Sequence, residues 1–258
     1  MKVLKNLIWI IALIAIIVLL GVVAFGYYKK ITFNVQNPIA TIEVENYGTI
    51  KVELYPDQAP ESVANFITLA NNGFYDGTKF HRIVKDFMIQ AGSKDGDGTT
   101  GAQISDLKDD GEEEDYTIKG EFLANGVENT VKFEEGTIAM ARSDYTSYSS
   151  SLTEESYNSG NSQFFIMTAE NTGLNGYYAS FGKVIEGLDV VHAIEEVEVT
   201  VAEGSEEDED AEVSTPVDPP VVTSIRVETY GIDYGLPETL EPFDYMTWLY
   251  SQYGISGN

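Results

Sequence analysis

Apolar and polar residues alternate in short runs along most of the chain, the signature of strands that bury one face. Residues 39–45 and 48–54 alternate on either side of Asn46-Tyr47-Gly48, which predicts a hairpin. The same period predicts strands over 80–83, 87–90, 137–142, 163–167, 181–185 and 224–229, with the first two facing each other around Lys85-Asp86. The period becomes helical over 60–73. There Pro60 and Glu61 occupy the first turn, Val63, Phe66, Ile67 and Ala70 share one face, and Gly73 follows the end. A second helix is predicted over 188–197. Many short strands with two helices predict a mainly β protein whose antiparallel sheet closes, or nearly closes, into a barrel, because closure removes exposed edges.

Several segments break this pattern. Residues 7–25 (LIWIIALIAIIVLLGVVAF) form an unbroken apolar run. Its length suits a bilayer crossing and exceeds the ~7–15 apolar residues of a cleavable signal. The expectation is a cytoplasmic amino terminus over 1–6, a signal anchor in the lipid bilayer over 7–28 and a linker over 29–37. Lys2 and Lys5 precede the run while Lys29 and Lys30 follow it, and the slight positive-inside bias puts the remaining domain outside the cytoplasm, on a single-pass anchor in the cell membrane. Cleavage after a small residue such as Gly26, with secretion, is the alternative. The domain is expected over 38–235, with acidic or polar insertions near 106–115, 146–160 and 203–220. The two acidic blocks, DLKDDGEEED and EGSEEDEDAE, read as solvated and mobile, since like charges resist packing. The tail, 236–258, carries Phe243, Tyr245, Trp248 and Tyr250 among other apolar residues and is expected to pack on the domain or a partner.

Composition narrows the chemistry. At 258 residues, 43% hydrophobic and 12% aromatic, the chain supports one well-buried domain with appendages. A formal net charge of -27 repels phosphate backbones, so no nucleic-acid partner is expected, and basic clients or cations are favoured. There is no cysteine, which excludes thiol nucleophiles, disulfides and thiolate metal sites. Only two histidines occur, a poor supply for a zinc site or a Ser-His-Asp triad. His192 lies in a helix-like run and reads as solvent-facing or capping; His81 reads as a packing or orienting neighbour of Arg82. The glycines of 94–101 lack the lysine and following helix of a phosphate loop, and Asp95-Gly96-Asp97-Gly98 lacks the further ligands of a calcium loop. Neither a cofactor nor a dedicated metal is expected.

Two separated motifs remain, FHRIVKDFMIQAG over 80–92 and NSQFFIMT over 161–168. Alternation lets Arg82, Met88 and Gln90 share one groove. An arginine fixed beside an apolar pocket needs a transient polar partner, because its five donors must be satisfied and it cannot shed its charge. The plain alternative for Arg82 is a surface salt bridge, and for Phe87 and Phe165 a place in the core.

Taken together and in this order, the motifs resemble the active-site signatures of the cyclophilin family of peptidyl-prolyl cis-trans isomerases. The resemblance covers about 38–233 and includes Tyr116 to Phe122, Met140-Ala141-Arg142 and Phe181 to Val191. It implies a cyclophilin-like closed eight-stranded antiparallel barrel capped by two helices, with the groove on its outside. It also implies rotamase action on Pro-containing polypeptides, here assisting the folding of exported proteins at the membrane surface. Arg82 is implied as the catalytic donor to the prolyl nitrogen and Gln90 as its positioning partner. Substrate binding is implied for His81, Phe87, Met88, Ala141, Gln163, Phe165, Leu174 and Tyr178. Gly173 stands where the best-known members carry tryptophan, which implies weak cyclosporin binding, and Tyr178 stands where histidine is common. From a different class, the alternative is a non-catalytic binding module or holdase for Pro-containing segments.

Overall fold

The first hairpin forms as its alternation predicts. β1 (Ile39–Val44) and β2 (Gly48–Leu54) pair antiparallel from Ile39↔Glu53 to Val44↔Gly48. Ala40, Ile42 and Val44 on one strand, and Ile50, Val52 and Leu54 on the other, are buried. Asn46 makes the turn at φ 64, a conformation asparagine tolerates better than most residues.

Further strands follow as β3 (Arg82–Val84), β4 (Met88–Ala91), β5 (Thr117–Ile118), β6 (Thr137–Met140), β7 (Phe164–Met167), β8 (Ser180–Glu186), β9 (Val199–Val201), β10 (Val213–Pro216), β11 (Val222–Glu228) and β12 (Thr239–Leu240). Eight of them form one sheet in the order β11-β1-β2-β8-β6-β7-β4-β3, every neighbour antiparallel. The end strands β3 and β11 are not laddered to each other, which corrects the expectation of a fully closed ladder. Instead the segments leading into them meet at one antiparallel bridge, Lys79↔Val221. Around it the Phe80 N–H donates to Pro220 O at 2.9 Å and the Val222 N–H to Thr78 O at 2.8 Å. β3 has only three residues before its turn, so the seam falls ahead of it.

This computed structural model describes residues 9, 13–23, 36–203, 205 and 211–253. The chain divides into two units, 1–36 and 37–258. In the first, residues 13–23 are helical with exposed apolar side chains. The anticipated amino terminus over 1–6, the flanks of the anchor and all but the end of the linker lie outside the described residues. Among the described residues no helix is long and apolar enough to cross a membrane.

In the second unit, α1 (Pro60–Asn71) begins with proline in its first turn and buries Val63, Phe66, Ile67 and Ala70 on the predicted face. Phe66 ties the helix to the sheet, its ring 5.5 Å from Phe164 and 5.3 Å from Phe181. α2 (Leu188–Glu195) packs on β2 and β4. The amino terminus of α1 has no local side-chain cap. Glu121, distant in sequence and only 3% exposed, supplies one. Its carboxylate accepts from the Glu61 N–H at 2.9 Å, the Ser62 N–H at 2.8 Å and the Ser62 hydroxyl at 2.7 Å. Burial lifts the Glu121 carboxyl above its ordinary range, against the pull of these three donors.

The acidic and polar segments hold more structure than their composition predicts. Within 106–115, Asp106 belongs to a helical turn, Ile104–Leu107, closed by a reciprocal cap with Gln103. The stretch 146–160 contains the turn Ser150–Leu152 and the helix Thr153–Tyr157, with Leu152 buried. Within 203–220, β10 pairs with β9 and lies against β3, and Ser214 is buried. The tail forms α3 (Tyr245–Gln252) and, as anticipated, packs on the domain through Phe243 against Tyr145 at 4.6 Å and Tyr245 against Tyr148 at 4.9 Å.

Substituting Glu121 by alanine is expected to lower the unfolding free energy by about 1–3 kcal/mol, because it strips the helix amide groups of a buried acceptor. A urea midpoint that does not move would show that the distant cap is dispensable.

Candidate active site

The groove is built by strand register. Alternation turns Ile83, Ile89, Ile138, Phe164 and Ile166 into the barrel core, so their neighbours face out. Those neighbours align across four strands, with Arg82↔Gln90, Gln90↔Phe165 and Ala139↔Phe165 as direct partners. Met88 lies one row along, opposite Val84 and Met167. On this outer face Met88, Phe133, Ala139, Phe165 and Met167 form a second apolar cluster, with Val84, Phe87, Ala141, Leu174 and Tyr178 packed against it. The β3–β4 turn puts Asp86 at φ 57, and the Phe87 N–H donates to Val84 O at 3.1 Å.

Above this floor runs a chain of polar contacts. Arg82 Nη1 donates to Gln90 Oε1 at 3.3 Å, Gln90 Nε2 to Gln163 Oε1 at 2.9 Å, and Gln163 Nε2 to the Gly98 carbonyl at 2.9 Å. Each amide fixes the next, so the orientation of the guanidinium is set by a loop two residues away in the network. Gly92 brings the two motifs together: at φ 93 its Cα passes so close to the Ser162 backbone that a Cβ would lie 2.5 Å from Ser162 O. On its other edge Arg82 is bound by a carboxylate absent from the predicted set. Nε donates to Glu212 Oε1 at 2.7 Å and Nη2 to Glu212 Oε2 at 2.8 Å. The plain salt-bridge reading of Arg82 is thus realised alongside the groove reading.

A cavity of ≈ 160 Å³ lies beside the guanidinium, lined by Arg82, Phe87, Met88, Gln90, Ala141, Arg142, Phe165, Leu174 and Tyr178. A hollow of about 150 Å³ holds one benzene-sized ring. Tyr178 meets Phe165 edge-on at 5.7 Å, and Phe133 stacks on Phe165 at 6.1 Å. A second cavity of ≈ 220 Å³ adjoins it and is polar, with Gln90, Gln163, Asn161 and Arg142 among its walls. Asn161 is fully engaged, accepting from the Ala102 N–H at 2.6 Å and donating to Ala102 O and Tyr116 O. Larger hollows border the tail, but they are open and contain no arginine.

Nine of the ten predicted site residues therefore sit together around the two cavities. His81 does not. Its ring packs beneath Gly98, where a Cβ would come 2.9 Å from His81 Cδ2, and burial pushes its pKa down. The Ala141 N–H is committed to Gln163 O at 2.9 Å. Gly173 sits at the exposed edge of the pocket with only Asn171 Oδ1 within reach of a Cβ, so no aromatic wall stands there. Unpredicted participants are Phe133, Arg142 and Glu212. Arg142 stacks 4.4 Å over the Tyr178 ring and donates from Nε to Tyr177 O at 3.2 Å.

A carboxylate also anchors the turn behind the groove. Glu195 on α2 accepts from the Asp86 N–H at 2.7 Å and pairs with His192 Nδ1 at 3.0 Å, while His192 Nε2 lies 2.9 Å from Glu135. Burial alone would raise the Glu195 carboxyl, but its partners outweigh it and hold it below the ordinary range. Glu195 and Glu135 raise the His192 pKa. Among the described residues no group of three or more acidic or imidazole side chains is placed to hold a metal ion.

The site is thus an exterior groove on an eight-stranded antiparallel sheet, with Arg82 held by Gln90 and Glu212 beside a ring-sized aromatic pocket. Residues 39–225 match the family model described as cyclophilin type peptidyl-prolyl cis-trans isomerase/CLD, and the chain belongs to that family. It is 40% identical over 151 residues to peptidyl-prolyl cis-trans isomerase 9 of Schizosaccharomyces pombe, covering 58% of this chain and 21% of that protein. It is 38% identical over 146 residues to peptidyl-prolyl cis-trans isomerase B of Bacillus subtilis, covering 57% of this chain and 82% of that one. The chain spans about a fifth of the length of that S. pombe protein and of peptidyl-prolyl cis-trans isomerase cyp15 of Rhizopus delemar. A cyclophilin type isomerase of Cryptosporidium parvum, solved in the presence of the dipeptide Ala-Pro, superposes with a TM-score of 0.54 at 26% identity, over 74% of this chain and 98% of that one.

The two histidines are expected to titrate on opposite sides of the ordinary value near ~6.5. For His192 the folded pKa is raised, so its stabilising contribution is complete below ~6.5 and disappears as pH rises through the folded pKa. For His81 the folded pKa is depressed, so stability falls as pH drops from ~6.5 towards that pKa. NMR titration of the ring protons checks this; His192 titrating below His81 would contradict the placement of both.

Proposed function

We propose that this protein catalyses cis-trans rotation about X-Pro peptide bonds, with Pro-containing polypeptides as clients. The observation that carries this reading is the Arg82 guanidinium beside a pocket sized for one ring. An X-Pro amide rotates slowly because resonance imposes a barrier of ~18–20 kcal/mol, and no covalent bond need break to cross it. As the bond twists, conjugation is lost and the prolyl nitrogen regains a lone pair. A donor aimed at that nitrogen stabilises the twisted state more than the planar one, and only such differential binding accelerates the step. A thousandfold acceleration needs ~4 kcal/mol, within the range of one charged hydrogen bond in a partly desolvated groove.

Each part has a task. Phe165, Met88, Phe87, Leu174 and Tyr178 grip the proline ring and hold it while the preceding carbonyl swings. Gln90 and Gln163 keep the guanidinium plane aimed. With its N–H already used, Ala141 offers its carbonyl to the peptide backbone. The apolar sequence over 7–28, together with exposed apolar side chains along the helical residues 13–23, supports tethering to a bilayer, with the enzyme acting on exported clients outside the cytoplasm.

Arg82→Ala is expected to reduce kcat/KM for an X-Pro peptide by about 10²- to 10³-fold with little change in melting temperature, since the side chain is partly exposed and acts on the twisted state. NMR exchange spectroscopy measures the rate; parallel loss of stability and activity would mark the arginine as structural. The tether has its own test. The full chain should sediment with membranes and stay there in high salt, whereas residues 36–258 should remain soluble. Release by salt, or a mature amino terminus near Tyr27, would overturn anchoring.

A further inference from the structure

Glu212 engages the residue on which the proposed chemistry depends. A guanidinium has five N–H donors. Glu212 takes one from Nε and one from Nη2, and Gln90 takes one from Nη1. The other Nη1 hydrogen points to the Met88 sulfur at 3.7 Å, a weak acceptor, and one Nη2 hydrogen is left. The arginine therefore still has a free donor, but with a carboxylate bound to its flank. That carboxylate cancels much of the positive potential a developing prolyl lone pair would feel. It also repels any acidic group brought near.

The contact is built into the fold. Glu212 immediately precedes β10, which lies against β3, the strand that carries Arg82, and Ser214 anchors it by burial two residues on. That placement sets the carboxylate at the groove rim. Yet the pair is releasable, because the Arg82 and Glu212 side chains keep 35% and 51% of their exposure, and exposed ion pairs are weak and screened by salt. Arg82 holds the Glu212 carboxyl below its ordinary pKa range, so it is ionised at neutral pH.

We propose that Glu212 is a specificity-determining restraint on Arg82: it holds the guanidinium in an internal ion pair that a client must loosen, and clients with a lysine or arginine next to the proline loosen it best. A client cation satisfies Glu212 in place of Arg82 and returns the full charge of the guanidinium to the prolyl nitrogen. A client glutamate meets Glu212 as a like charge and leaves the pair shut. The formal charge of -27 acts in the same direction, concentrating basic segments near the surface. This inference rests on the isomerase reading of Arg82.

The test compares the full chain with Glu212→Gln on three peptides of the form Ala-X-Pro-Phe, X being alanine, lysine or glutamate, with exchange rates followed by NMR at low and moderate salt. For the wild type, kcat/KM should follow the order lysine, alanine, glutamate, and the rate on the alanine peptide should rise with salt. In Glu212→Gln the alanine peptide should turn over about two- to fivefold faster, a factor set by the weakness of an exposed pair, and both the lysine preference and the salt activation should shrink. An unchanged rate and an unchanged preference overturn the proposal. So does a slower Glu212→Gln with unaltered melting, which would make the carboxylate an orienting partner. If the wild type is inactive on all three peptides and Arg82→Ala makes no difference, the isomerase reading itself fails, an outcome separate from these.

Discussion

Everything at the groove depends on the two-residue period of β3, β4, β6 and β7. Ile83, Ile89, Ile138 and Ile166 enter the barrel because they alternate with Arg82, Gln90, Ala139 and Phe165, which face out. A slip of one residue in β3 would drive Arg82 among buried isoleucines and aromatics, and an unpaired guanidinium there costs several kcal/mol. The apolar core thus fixes the address of Arg82. That same constraint explains why a barrel can carry a site on its exterior: the outer face of these four strands needs its own apolar cover, and Phe133, Leu174 and Tyr178 supply it.

The double demand shaped what was legible in the sequence. β1 and β2 bury one face and alternate cleanly, so their limits are readable almost to the residue. β6 and β7 bury both faces and read as nearly continuous apolar runs, TIAM and FFIM, which periodicity assigns to strands only with help from length and flanking residues. Arg82, Gln90, Gln163 and Phe165 were legible because two local motifs carry them. Glu121, Phe133 and Glu212 were not, since each acts across a long separation and sits in a stretch whose local composition reads as loop. β9 and β10 were hidden by the acidic run between them: a charge block signals solvation, and only the neighbouring Val199–Val201 and Val213–Pro216 hold the hairpin in place. His81 is placed differently from its neighbour. Although it is adjacent to Arg82 in sequence, its half-buried ring lies against Gly98 and lines neither cavity.

Neutral amides next to Arg82 stand out in so acidic a chain. Gln90 and Gln163 orient Arg82 without discharging it, because an amide oxygen accepts a hydrogen bond while carrying no formal charge. The carboxylates that support the same region, Glu195 under the β3–β4 turn and Glu121 at the start of α1, act on backbone N–H groups. They stabilise the scaffold and leave the guanidinium alone.

Glu212 departs from that separation, since it binds the guanidinium itself from the residue before β10. None of the described residues of the hairpin next to it lines the apolar pocket. The hairpin needs only to run beside β3, an end strand of the sheet, to bring one carboxylate within reach of the outward-facing arginine. An end strand without a full ladder partner is the place where an added strand can lie with least disruption, and in this fold it is also the strand that bears the charge. Geometry therefore places a carboxylate flanking β10 on the outward-facing arginine of an end strand, while none of the hairpin's described residues lines the pocket beneath.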